Sequence, residues 1–115
     1  MATKDVLDHH LAAFGAGDVD EILKDYTDDS VLMTPAGTIR GREALREAFV
    51  DILSGLFAPG TYDFTMDAVH VEGEVAYTVW HAACASADVV LGTDTFLVRD
   101  GKIAVQTYTP KIEPR

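Results

Sequence analysis

Apolar residues recur at helical spacing in three stretches of the chain and at strand spacing in most of the remainder. In residues 4–16, Val6, Leu7, His10, Leu11 and Phe14 fall on one face of a 3.6-residue period, which predicts a helix. His10 lies inside the apolar arc, and His9 points about 100° round from it. Gly15 and Gly17 end this helix. Asp18, with Glu21 three residues on, has capping-box spacing and opens a second helix to about Asp25. Its inner stripe is Val19, Ile22, Leu23 and Tyr26. Residues 30–34 and 38–40 predict two short strands around the 35–37 turn. Residues 42–56 predict a third helix, with Leu45, Ala48, Phe49, Ile52, Leu53 and Leu56 on one side.

The remainder alternates with period two. A first long strand covers 61–71, with Tyr62, Phe64, Met66 and Ala68 on one face. Val69 and Val71 change parity, so a bulge is expected near Ala68. A meander of three strands follows at 74–86, 89–99 and 102–109, its last turn carrying an Asp-Gly hairpin signal at 100–101. If its first turn centres on 86–87, one face holds Val75, Tyr77, Val79, His81 and Ala83. That face continues through Val90, Gly92, Asp94, Phe96 and Val98 to Ala104, Gln106 and Tyr108. An apolar wall with a few polar groups is the usual make-up of a small-molecule pocket. The other face, with Trp80 and Cys84, is also poor in charge, so both need cover. Helices would cover one side, and a second copy anchored by Trp80 the other. Residues 111–115 are expected to be loose.

At 115 residues the chain is a single domain, 1–115. Its net charge of −10 argues against phosphate-backbone and anionic-lipid partners. One cysteine excludes an internal disulfide and fits a cytoplasmic location. No membrane-length apolar run or signal peptide is seen. Adjacent His9 and His10 diverge on their helix and no zinc-type spacing occurs, so neither metal nor organic cofactor is expected.

The element order, with Ala16-Gly17-Asp18, Tyr26 to Val31, Pro35, Arg40-Gly41-Arg42, and Asp94-Thr95-Phe96 followed by Asp100 to Ile103, resembles the nuclear transport factor 2-like superfamily. It is most similar to the SnoaL-like and ketosteroid-isomerase-like branch. The resemblance covers the whole chain. It implies an α+β fold in which a curved antiparallel sheet wraps around a long helix, a cone-shaped, cystatin-like roll with an apolar pocket, commonly dimeric. It also implies site positions. The isomerase oxyanion-hole tyrosine falls on His10, the protonated aspartic acid on Asp94, the supporting tyrosine on Tyr26 and the base on Thr34. Threonine cannot accept a carbon-bound proton at neutral pH, so His10 or His81 would have to supply the base.

The catalytic candidates are therefore His10, Asp94 and His81. Histidine titrates in the useful range. A carboxyl facing an apolar wall is costly unless paired or protonated. Asp94 lies diagonal to His81 in the assumed register and would orient it. Phe14, Tyr26, Thr34, Val79, Gln106 and Tyr108 would line the ligand. Two functions follow. One is an isomerase, cyclase or dehydratase moving a proton next to a carbonyl of an apolar or aromatic small molecule. The other, favoured by Thr34, is a non-catalytic ligand-binding or dimerisation module.

Overall fold

The computed structural model describes residues 2–115. Three helices, α1 (Thr3–Ala16), α2 (Val19–Leu23) and α3 (Arg42–Ser54), pack on one face of a six-stranded sheet. The strands are β1 (Tyr26–Thr34), β2 (Gly37–Arg40), β3 (Tyr62–Glu72), β4 (Val75–Cys84), β5 (Ala87–Arg99) and β6 (Lys102–Pro114). Their order is β2-β1-β6-β5-β4-β3, so the sheet is open, with β2 and β3 as its edges. All pairs are antiparallel except β1 with β6, which is parallel.

Helix α1 buries Val6, Leu7 and His10 of the predicted stripe together with Ala13, while Leu11 and Phe14 are half-buried against the core. It stops at Gly17, whose φ of 67° is left-handed and which a side chain would drive into Pro59. Asp18 then caps α2 by accepting from the Glu21 amide at 3.1 Å. His9 ties the two helices together. Its Nδ1 lies 2.6 Å from Asp25 Oδ2 and its Nε2 2.6 Å from Glu21 Oε2. Hydrogen bonds to Asp25 and then Glu21 raise its pKa, which favours its charged form between them. From α3, Leu45, Phe49 and Leu53 complete the core.

Sheet parity departs from expectation between Leu97 and Val98, where β6 carries an extra residue and Ile103 rather than Ala104 is buried, and with larger consequences between β4 and β5. Near the β4–β5 turn Ala83 lies opposite Asp88 and Ala82 opposite Val89, two residues away from the register of a turn centred on 86–87 but with the same parity. Between Ala82 and Trp80, β5 carries one more residue than β4, and from there Trp80 faces Gly92 and Thr78 faces Asp94. This bulge at Val90–Leu91 flips β5 relative to β4. Even-numbered β4 residues (Ala76, Thr78, Trp80, Ala82, Cys84) are therefore the buried ones, while Val75, Tyr77, His81 and Ala83 are exposed. On β5, Gly92, Asp94, Phe96 and Val98 do face the helices. A further bulge, between Met66 and Ala68 on β3, lies where parity predicted it.

The last residues also differ from expectation. Instead of hanging loose, β6 pairs with β5 out to Pro114, and the Arg115 guanidinium donates to Asp88 Oδ1 at 2.8 Å. No helix is long and apolar enough to cross a membrane.

Candidate functional site

The sheet and helices enclose a cavity of about 220 Å³. α1 contributes His10, Leu11 and Phe14, and α3 contributes Phe49 and Ile52. The sheet contributes Leu32, Tyr62, Phe64, Met66, Thr78, Trp80, Asp94, Gln106 and Tyr108, and Phe57 closes the gap after α3. Asp94 is the one carboxyl among these residues, and no lysine or arginine joins them.

His10 is 3% exposed and sits among aromatic rings from four elements. Its ring centroid lies 5.3 Å from that of Phe96, 6.1 Å from Tyr26, 6.2 Å from Phe49 and 6.3 Å from Phe14. Burial, helped by the nearby charge of His9, lowers its pKa to about 4, so the imidazole is neutral at physiological pH. Asp94 moves the other way. Burial raises its pKa to about 7, against hydrogen bonding from Trp80 and Gln106 that favours the carboxylate. His10 Nδ1 and Asp94 Oδ1 are both enclosed and have no hydrogen-bond partner among the described residues. An unmade buried hydrogen bond costs about 1–3 kcal/mol, so both atoms are places where a ligand's polar group would gain.

Behind Asp94 stands an ordered pair. The Tyr26 hydroxyl donates to Gln106 Oε1, which turns the Gln106 amide nitrogen toward Asp94, where it donates to Oδ2 at 3.3 Å. Tyr26 is itself 3% exposed and its pKa is raised well above the ordinary value by burial, so it stays a phenol. Tyr108, opposite Asp94 in the β5–β6 register, is pushed up to about 12 by burial and by the Asp94 charge.

Of the residues singled out in the sequence, His10, Asp94, Phe14, Gln106 and Tyr108 line this cavity, and Tyr26 reaches it through Gln106. His81, Val79 and Thr34 do not line it. His81 points to the opposite sheet face, where its Nδ1 lies 2.8 Å from Asp67 Oδ2 at the surface. A His81–Asp94 dyad is thereby ruled out, because the β5 bulge puts the two side chains on different faces. Val79, next to Trp80, shares that outer face for the same reason. Thr34 closes the β1–β2 turn, its hydroxyl donating to the Gly37 carbonyl at 3.2 Å. Trp80, expected as an outward dimer anchor, is 5% exposed and forms part of the cavity wall. Trp80 and Thr78 are the site residues that strand alternation missed. Among the described residues no three potential metal ligands converge.

This architecture matches that of known proteins. The chain superposes on a candidate polyketide cyclase from Sinorhizobium meliloti with a TM-score of 0.77 and 19% identity, covering 90% of this chain and 93% of that one. A candidate ketosteroid isomerase from Kribbella flavida gives a TM-score of 0.78 and 15% identity over 95% and 77% of the two chains. A cystatin-fold protein from Novosphingobium aromaticivorans gives 0.76 and 14% over 94% and 97%. At these identities the likeness establishes the fold alone. No significant match is found among curated protein sequences. The SnoaL-like domain model, however, matches residues 7–106, and the chain therefore belongs to the SnoaL-like domain family.

Proposed function

We propose that the cavity binds a compact, mainly apolar ligand through a carbonyl oxygen and that Asp94 moves a proton on the adjacent carbon. The observation that carries this reading is the pairing of a carboxyl whose pKa is about 7 with a neutral imidazole, each with an unpartnered atom, in one apolar cavity. A general base works best when its pKa lies near the working pH, which Asp94 satisfies and His10 does not. In its ionised form Asp94 takes the proton from carbon, and the electron pair moves onto the carbonyl oxygen. A ring N–H of His10 donates to that oxygen without needing to be charged. Returning the proton at the same or a neighbouring carbon completes an exchange or an isomerisation. The absence of basic side chains from the lining disfavours anionic ligands.

Deuterium uptake tests this directly. Indanone in D2O would be followed by NMR at its hydrogens next to the carbonyl. The wild type should accelerate exchange and Asp94→Asn should not. No acceleration over buffer would remove the catalytic reading. It would leave the second one, a binding module, which the presence of one carboxyl rather than two in the lining favours.

We also propose dimerisation through the outer sheet face, with exposed Val75 and Tyr77 in place of Trp80 at its centre. Sedimentation of a single monomeric species at micromolar concentration would contradict it.

A further inference from the structure

We propose that Trp80 and Tyr108, laid over Gly92, form an aromatic floor that selects planar one- or two-ring ligands over saturated ligands of the same size. The proposal rests on the cavity being a ligand site. It starts from a close approach. A Cβ placed on Gly92 would lie 2.3 Å from indole atoms Cε2 and Cζ2 of Trp80 and 2.6 Å from Cδ2. Three neighbouring ring atoms at nearly equal distance mean that the indole meets the β5 backbone with its face. Gly92 is not among the glycines of positive φ, so backbone geometry alone would accept any residue there. What the position requires is space for the ring.

The second component is Tyr108. Its ring is parallel to the indole within 5°, with centroids 6.3 Å apart, an offset-parallel arrangement. The indole's other neighbours meet it at an angle. Phe57 does so edge-on, at 71° and 5.7 Å, and Phe64 leans from the edge strand at 32° and 5.3 Å. The two parallel faces, flanked by tilted rings, present a flat aromatic surface to the cavity. A flat ring adds to that array by offset stacking, whereas a puckered ring of equal volume must push the tilted rings away. At about 220 Å³ the cavity falls below the roughly 300–1,000 Å³ of sites for drug-sized ligands, which limits the ligand to one or two rings.

The test compares indanone with hydrindanone, its fully saturated counterpart, by calorimetric titration. Fluorescence of Trp80, the chain's single tryptophan, is read in parallel. The wild type should prefer indanone by about five- to ten-fold, the stacking contribution of one aromatic pair. Gly92→Ala, which must tilt the indole, should bring the two affinities within about two-fold. Should Gly92→Ala fail to fold, Tyr108→Leu removes the second parallel face and should narrow the preference in the same way. Equal wild-type affinities would overturn the planar selection while leaving the cavity as a ligand site. A preference that survives both substitutions would overturn the assignment of the floor. Failure of both ketones to bind would overturn the ligand site itself, and the floor with it.

Discussion

Two buried titrating groups shifted in opposite directions give this fold an unusual pH response, and Asp94→Asn exposes it. Between about pH 4 and 6.5 the native state keeps a proton on Asp94 that the unfolded chain has released. Over the same range the unfolded chain carries a proton on His10 that the native state excludes. Asp94 alone makes stability fall with rising pH, by about 1.4 kcal/mol per unit, until pH passes its native value near 7. His10 alone makes stability rise by about the same slope until pH passes its unfolded value. The two contributions cancel in the wild type. With Asp94→Asn only the His10 slope remains, so the variant should gain about 3 kcal/mol relative to wild type between pH 4 and 6.5. His10→Gln should lose a similar amount over that window. Against a total stability of about 5–15 kcal/mol these are large effects. Urea unfolding followed by Trp80 fluorescence at half-unit pH steps measures them, and differences between proteins remove the titration of the shared surface carboxylates. His9, whose native pKa is raised, gives all three proteins a loss of stability as pH climbs through that raised value. If the Asp94→Asn and wild-type profiles ran parallel from pH 4 to 6.5, Asp94 would not be holding a proton in the folded state, and the proposed chemistry would go with it.

Other substitutions probe the site separately. Exchange of indanone hydrogens should rise with pH and level off above about 7, the range in which Asp94 ionises; a profile flat from pH 5 to 8 would exclude it as the base. Trp80→Ala should destabilise the fold by about 3–5 kcal/mol, measured by denaturant melts, because it empties the space beside Phe57 and Gly92. A surface tryptophan would lose far less. His81→Ala should leave exchange and ligand affinity unchanged and stability within about 0.5 kcal/mol, since His81 meets only Asp67 at the surface. Loss of activity in that variant would contradict the strand parity.

Much of this arrangement was legible in the residue pattern. The α1 stripe placed His10 inward because helical spacing allows little else, and the capping signal at Asp18 fixed where α2 begins. The inward face of β5 with Asp94 follows from alternation, but the Asp100–Gly101 turn, where Asp100 adopts a left-handed φ of 52°, would alone set Thr107 opposite Asp94. An irregularity between Leu97 and Val98 brings Tyr108 there instead and Gln106 opposite Phe96. Nor could alternation supply the extra residue at Val90–Leu91. Both of those side chains are exposed and apolar, as bulge residues and strand residues alike can be, so composition does not mark the shift. From that one residue came the misplacement of His81, Val79 and Trp80. The relay from Tyr26 through Gln106 was also beyond sequence reasoning. It depends on β1 running parallel to β6, a pairing of strands about eighty positions apart that no local signal announces.

The bulge at Val90–Leu91 makes strand length a determinant of chemistry. Deleting a single residue there would carry the downstream half of β5 round by one side chain, presenting the carboxyl at 94 to bulk water without altering its identity. A natural variant shortened or lengthened at this spot would keep the whole catalytic vocabulary yet lose the site. Sequence comparison across relatives must therefore respect gaps in this hairpin before equating any acidic residue with Asp94.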